Sequence, residues 1–300
     1  MQINPTLIQD FECGLNPQYP EKSTIPATIV GFGEISSIFK INPYHDWVFK
    51  RLPLFNTTAQ AIQYIEKYKL YTAYLKQAGL SLPLDDTFVI SSKKVVLYVA
   101  QKALNKVDLC QNKLHSLPAK EVIMMLESIF IAIKKLADFN KNGNSVLLSI
   151  DGQVSNWALV ENNLFYFDTS TPLFKINGAE QMNPELLLNS TPKALRWIIS
   201  LFFLKEVMNR YYDLRLIYID LIANLYKEQT PEYIVPAINL ANNLLPKSIK
   251  KITKLEVAKY YKNDKLIWRL FLSFRRIDRW FSKNILRKQY EFILPGTIKR

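Results

Sequence analysis

The apolar positions of the first hundred residues come in short, broken runs. Pro26 to Phe32 is apolar and β-branched until Gly31-Phe32-Gly33 interrupts it. Ile35 to Ile41 alternates, residues 41–46 turn, and Trp47 to Leu52 is apolar again. This pattern predicts three short antiparallel strands. Thr57 or Thr58 then caps a helix running to about Gln77, with Ile62, Ile65, Leu70 and Leu75 as its apolar positions and Gly79 as its stop. Two more strands follow, at residues 86–90 and 93–101, so this part reads β-β-β-α-β-β. After Gln101 the period lengthens. Ile123, Leu126, Ile129, Ile133 and Leu136 predict a helix over 119–139, stopped by residues 140–143. Residues 145–150 and 163–168 read as two short strands, the second entered through a turn around Glu161. From Pro192 onward the pattern is mostly helical, with breaks expected at Pro231, Pro236 and Pro246 and a buried helix at 197–204.

A sheet-rich stretch followed by a helical one predicts an α+β protein with two lobes: a small antiparallel-sheet lobe over 1–101 and a larger, mostly helical lobe over 102–246. A basic helical extension covers 247–300, and a ligand cleft lies between the lobes. Composition adds little to this picture: 49% hydrophobic and 22% charged residues describe an ordinary globular chain. Two cysteines and two histidines argue against a disulfide framework, a Cys/His metal centre and a histidine-based triad. The N-terminus lacks the charge and apolar runs of a signal peptide, and 197–204 is too short to span a bilayer. A cytoplasmic location is expected, peripheral to a membrane if the basic end binds one.

The candidate chemistry sits at strand ends. Asp151 follows one apolar strand, Asn156 lies five residues on, and Asp168 ends the next strand. Two carboxylates and a carboxamide suit phosphoryl transfer, where one Asp orients the attacking hydroxyl while an Asn and a second Asp hold Mg²⁺. Upstream, Gly31 and Gly33 bracket a strand turn that ends near Ser36, where glycine lets backbone approach a phosphate. Lys50 closes the third strand, and Glu66 lies mid-helix within pairing range of it. Each feature has a plainer reading: a glycine hairpin, a solvated lysine, Asp and Asn as turn formers.

Taken in order, glycine turn, Val48-Phe49-Lys50, Glu66, the strand ending near Gln101, a long helix, Asp151-x-x-x-x-Asn156 and Phe167-Asp168 resemble the protein-kinase-like superfamily, closest to its aminoglycoside phosphotransferase and choline kinase branch. The resemblance implies ATP and Mg²⁺ as cofactors. It places Gly31, Gly33 and Ser36 over the phosphates, Lys50 against them with Glu66 as anchor, and Gln101 and Ala103 at the nucleotide hinge. Asp151 would be catalytic, and Asn156 and Asp168 the metal ligands. The implied activity is an ATP- and magnesium-dependent phosphotransfer to a hydroxyl or amino acceptor. Ser149 stands where the family often carries His, and Thr169-Ser170 follows Asp168. These departures motivate the alternative of an inactive, pseudokinase-like nucleotide-binding or scaffold module.

Charge changes the picture at one end only. Residues 247–300 carry 16 Lys/Arg against 4 Asp/Glu, while the whole chain is +13. The remainder is therefore close to neutral. Apolar positions from Leu266 to Ile285 step by three or four among these cations. The pattern fits a packed terminal helix with a solvated basic face, or a site for anionic phospholipid or a polyphosphorylated ligand using Arg275, Arg276, Arg279, Arg287 and Lys288. No zinc-finger or RNP motif accompanies the charge, so nucleic acid is the weakest expectation.

Overall fold

The computed structural model describes residues 3–17, 19–32, 37–91, 94–142, 145–182, 210–285 and 287. The expected helix at 197–204 lies outside these residues, as do Gly33, Ser36 and Lys288. The protein is α+β. Its largest sheet comprises β1 (Ala27–Phe32), β2 (Ser37–Ile41), β3 (Trp47–Phe55), β4 (Asp85–Ser91) and β5 (Val95–Lys102), in spatial order β1-β2-β3-β5-β4 with every pairing antiparallel.

Strand side chains alternate between faces, and β3 shows the consequence. Phe49 and Arg51 point to one face, Lys50 and Leu52 to the other. Helix α1 (Pro5–Gly14) covers the first face, packing Ile8 and Phe11 on Phe39, Phe49 and Tyr98. Helix α2 (Thr58–Gln77) covers the second, packing Ala61, Tyr64 and Tyr68 on Leu52, Leu97 and Val99. β5 is thus sandwiched, which explains its unbroken apolar run. α1 lies outside the elements read from the hydrophobic pattern. Its local signals are the Asn4 cap, which accepts from Thr6 N at 3.0 Å, and Pro5 in the first turn.

α2 has the predicted ends: the Thr57 hydroxyl accepts from Gln60 N at 3.2 Å, and Gly79 takes φ +87° beyond the last turn. Its buried face is the predicted one only in part: Leu75 is buried and Ile65 packs against the core. Ile62 and Leu70 are exposed, and Ala61, Tyr64, Tyr68, Tyr71, Thr72 and Leu75 face inward. The tyrosines win because each ring buries a large apolar area while its hydroxyl reaches a polar partner.

The second half is built on α3 (Cys110–Ser116), α4 (Ala119–Lys141), α5 (Leu214–Lys227), α6 (Ile234–Leu244) and α7 (Lys254–Asn284). Leu126, Ile129, Phe130 and Ile133 of α4 meet Tyr218 and Ile222 of α5 and Ala237 and Ala241 of α6 in the largest core, which Tyr71 and Leu75 of α2 also enter. Pro236 does not break this region. It lies in the first turn of α6, where a missing N–H costs no intrahelical bond. The small strands fall into two separate sheets. β6 (Val146–Leu148) pairs with β9 (Phe174–Ile176), which pairs with β10 (Ala179–Glu180), while β7 (Trp157–Val160) and β8 (Asn163–Tyr166) form their own hairpin. The strands preceding Asp151 and Asp168 therefore do not pair with each other. The nearer partner closes the shorter loop, and Glu161 at φ +53° makes the turn.

Among the described residues no helix is long and apolar enough to cross a membrane. The start of α7 is fastened to α5. Tyr261 stacks on Tyr226 at 5.1 Å, Tyr260 donates to Asp220 at 2.8 Å, and Arg215 forks onto both Glu256 oxygens at 2.8 Å. Burial would raise the Glu256 carboxyl, but hydrogen bonds from Arg215, the Thr253 backbone, Lys250 and the Thr253 hydroxyl outweigh it and hold it at about 2. A carboxyl depressed in the folded state stabilises fully above its unfolded value and loses that contribution as pH falls through the folded one. Glu256→Gln is expected to cost about 1 kcal/mol at neutral pH. It should also flatten the acid limb of the stability profile between the ordinary glutamate value and about 2, as followed by urea melts across that range.

Candidate active site

Lys50 is the point where the sheet reaches the helical half. It lies within β3, beyond which the strand continues to Phe55, rather than at the strand's end. Its residue is only 4% exposed. A buried ammonium needs oxygen partners, and it has two: Nζ donates to the Phe167 carbonyl at 3.0 Å and to Asp168 Oδ1 at 3.2 Å. Ser170 Oγ donates to the same Asp168 oxygen at 3.3 Å. The Asp168 side chain keeps one face open, at 33% exposure.

Asn156 ties Asp168 to Asp151. Its side-chain amide donates to the Asp151 carbonyl at 3.1 Å, and its own carbonyl accepts from Phe167 N at 3.1 Å. Asn156 thus links the backbone at Asp151 to the segment that carries Asp168. Asp151 Oδ1 accepts from Gln153 N at 3.2 Å, which shapes the loop. The loop lies hard against the helices: a Cβ on Gly152 would sit 2.8 Å from Ile217 and 3.1 Å from Ile133, so glycine is needed here for close approach. Val154 N donates to Asn224 Oδ1 at 3.0 Å, and Lys227 Nζ donates to Gln153 Oε1 at 3.2 Å. A small open hollow of about 20 Å³ lies beside Gln153, lined among others by Asp220, Lys227, Tyr260 and Asp264.

The tyrosines of α2 hold the opposite wall. Tyr64 donates to Ser170 O at 2.7 Å, Tyr71 donates to Ser149 O at 2.7 Å, and the Tyr68 hydroxyl lies 3.2 Å from Thr169 Oγ1. One helix therefore grips the segment before Asp151 and the segment after Asp168. Burial raises the Tyr64 phenol well above its ordinary value, and the Asp168 charge adds to this. Burial likewise raises Tyr71, and the Asp168 and Asp151 charges both add to it.

Several sequence expectations change here. Glu66 is exposed and Lys50 pairs with Asp168, so Glu66 is not the lysine's anchor. The reason is helical phase: Tyr64 and Tyr68 occupy the inward stripe beside Lys50 and leave residue 66 on the outer side. Gln101 is buried at the end of β5, but its side chain donates to Thr169 Oγ1 at 3.0 Å, so it orients the segment after Asp168. The Ala103 N–H donates to Asp46 O at 2.8 Å and is not offered outward as a hinge donor. Gly31 lies in β1 at a bulge, paired with Ile38, whose Cδ1 would stand 3.2 Å from a Cβ there. The tyrosines at 64, 68 and 71, Gln153 and Asn224 escaped the sequence reading. The four- and three-residue tyrosine spacing in α2 was the available signal for three of them.

Among the described residues, no three His, Cys, Asp or Glu side chains gather as a metal cage. The donor set of Asp168 and Asn156 is nevertheless all oxygen, as a hard cation requires. With the Asn156 amide nitrogen committed to Asp151, its carboxamide oxygen points away from that bond. Two protein oxygens with the rest supplied by phosphate and water suit Mg²⁺ better than Ca²⁺.

The fold and site define an α+β protein with a carboxylate-carboxamide-lysine cluster set where an antiparallel sheet meets a helical half. The chain belongs to the family of unknown function DUF6206, whose model matches residues 40–279. No curated protein matches it. The matched span contains Lys50, Asp151, Asn156 and Asp168 and begins after α1.

Proposed function

We propose that this protein is an ATP- and Mg²⁺-dependent phosphotransferase of two-lobed, protein-kinase-like architecture, acting on a hydroxyl or amino acceptor. The observation that carries the reading is the link Lys50–Asp168–Asn156–Asp151. A buried sheet lysine is fixed on one carboxylate, and one asparagine joins that carboxylate's segment to the backbone carbonyl of Asp151. In this reading Lys50 pairs with nucleotide phosphates, Asp168 and Asn156 hold the magnesium, and Asp151 orients the acceptor and receives its proton. Bound Mg-ATP supplies the phosphoryl group and neutralises its charge. The chain's own contribution is positioning and electrostatics. Asp151 Oδ1 is held by Gln153 N, and α2 fixes both flanking segments through tyrosine hydroxyls, so the two carboxylates keep their separation. The second reading is a non-catalytic nucleotide-binding scaffold, favoured by the exposed Glu66 and the occupied Ala103 N–H.

Thermal-shift titration tests the first requirement. A ligand at a hundredfold excess over its Kd adds about 2.7 kcal/mol, a rise in Tm on the order of 5 °C for a chain of this size. The rise is expected with ATP plus Mg²⁺ and to be much smaller with ATP alone. Its absence with every nucleoside triphosphate and divalent cation overturns both readings. A rise without ATP consumption across a panel of hydroxyl and amino compounds selects the scaffold. Mass spectrometry of the acceptor distinguishes an added phosphate from an added nucleotidyl group.

A further inference from the structure

α7 does more than close the helical core. It is 31 residues long, roughly 46 Å at 1.5 Å per residue. Its first turns carry the Val257, Tyr260 and Tyr261 contacts to the body, and near its end Lys283 Nζ lies 5.8 Å from the centroid of the Tyr19 ring. Further on, the outer side of the helix carries large exposed apolar side chains, with Ser273 and Asn284 among them. Leu266, Ile277, Trp280 and Phe281 are 58%, 60%, 59% and 46% exposed, and Ile285 just past the helix is 55% exposed.

At 100° per residue, Leu266, Ile277, Trp280 and Phe281 fall within an arc of about 100°. Val257 and Tyr260, which face the body, lie on the opposite side. Arg269, Arg276 and Lys283 recur every seven residues and form a row along one border of the arc. Lys262 and Arg287 extend the positive charge at its two ends. From 262 to 287 the two acidic residues, Asp264 and Asp278, are both half-buried, so the described exposed residues of this stretch are cationic, apolar or neutral polar without a carboxylate. The side chain of Arg275 and all of Lys288 lie outside the described residues.

We propose that the outer face of α7, from Lys262 to Arg287, is an interfacial helix that docks the protein on an anionic phospholipid bilayer. An apolar arc with Trp and Phe beside a cationic row suits the boundary between headgroups and acyl chains. The rings enter the acyl boundary while the Arg and Lys heads stay among lipid phosphates. A second copy of the chain fits less well, because docking this face on itself sets one cationic row against another with no carboxylate to separate them. A purely polyanionic partner leaves four large apolar side chains without a role. The helix uses none of the residues placed at the Asp151–Asp168 site, so this inference stands apart from the proposed reaction.

Co-sedimentation of the full chain with vesicles tests it, using neutral phosphatidylcholine and a 70:30 mixture with phosphatidylserine at low and high salt. Wild type should pellet with the mixed vesicles at low salt, at least tenfold more than with neutral ones, and partly release as salt screens the charges. Two variants separate the contributions: Arg269→Glu/Arg276→Glu/Lys283→Glu, and Trp280→Gln/Phe281→Gln. The second pair is exposed and Gln is a good helix former, so circular dichroism and Tm should stay at wild-type values. Each variant should lose at least tenfold in partitioning. Brominated acyl chains should quench the fluorescence of wild type but not of Trp280→Phe beyond its other tryptophans. Equal pelleting of wild type and both variants overturns the proposal, as does wild type failing to pellet at low salt. Loss confined to the charge variant also overturns it and assigns the face to a soluble polyanion. A concentration-dependent dimer abolished by Trp280→Gln/Phe281→Gln, with no vesicle binding, assigns it to self-association.

Discussion

Asp151→Asn is expected to lower the proposed transfer rate by about 10²–10⁴-fold, the range over which a positioned general base acts, while leaving the fold and nucleotide binding close to wild type. Asn keeps a side-chain oxygen to accept from Gln153 N, so the loop turn survives. It keeps the volume, so Gly152 stays packed against Ile133 and Ile217. What it loses is the negative charge and the ability to take a proton from the acceptor. Asp168→Asn is the informative companion. It still offers an oxygen to Lys50 and Ser170, but it removes the negative charge that draws a hard dication to the site. The magnesium-dependent part of the thermal shift should therefore vanish in Asp168→Asn and persist in Asp151→Asn. The measurements are initial rates of ATP consumption with saturating acceptor and parallel melts. Identical losses of thermal shift in both variants would mean the two carboxylates do not divide the work as proposed. Unchanged rates in both would remove the site from any catalysis.

The largest stability effect is expected on the other face of the same strand. Arg51 is 2% exposed and its guanidinium forks onto Glu12 of α1, Nε to Oε2 at 2.8 Å and Nη2 to Oε1 at 2.6 Å. Tyr98 donates to Glu12 Oε2 at 2.5 Å. Burial pushes the Tyr98 phenol well above its ordinary value; Arg51 opposes that rise and Glu12 reinforces it. Removing one member of a buried ion pair leaves the other desolvated and uncompensated, at a cost of about 3–5 kcal/mol. Glu12→Gln should therefore lower the urea midpoint sharply without changing the slope of the transition. Glu12→Gln combined with Arg51→Met should recover most of the loss, because the double change removes the stranded charge. Additive losses would show that the pair contributes through packing of α1 alone.

These two sites show how far local sequence carries. Lys50 and Arg51 are adjacent in the chain and look alike in composition. The alternation of a strand sends them to opposite faces, one to Asp168 and one to Glu12. The sequence reading identified Lys50 from its place in an ordered series of motifs. It passed over Arg51, whose partner lies 39 positions away in a helix the hydrophobic pattern does not mark. Glu66 shows the reverse error. It stands in the right element, but a shift of phase around α2 is enough to exchange it for tyrosine. Aliphatic spacing favoured the Ile62 and Leu70 side of that helix, and the phenols won because their hydroxyls had carbonyl and hydroxyl partners to reach.

The sequence by itself determined the order and kind of most elements. Alternation, caps and glycine stops are short-range, and a residue's neighbours decide them. It also determined that Asp151, Asn156 and Asp168 fall in loops at strand ends, because turn chemistry is local. Only the tertiary structure decided which strands pair, so that the Asp151 loop and the Asp168 segment are linked by Asn156 backbone and side-chain bonds instead of across a ladder. It alone gave α2 its tyrosine face and turned the Gln101 side chain inward to Thr169. It also showed that the apolar positions late in α7 point outward, away from the core. Each of those outcomes depends on burial and on hydrogen-bond partners far along the chain, and a group's partner at that distance is fixed only when the whole fold has closed around it.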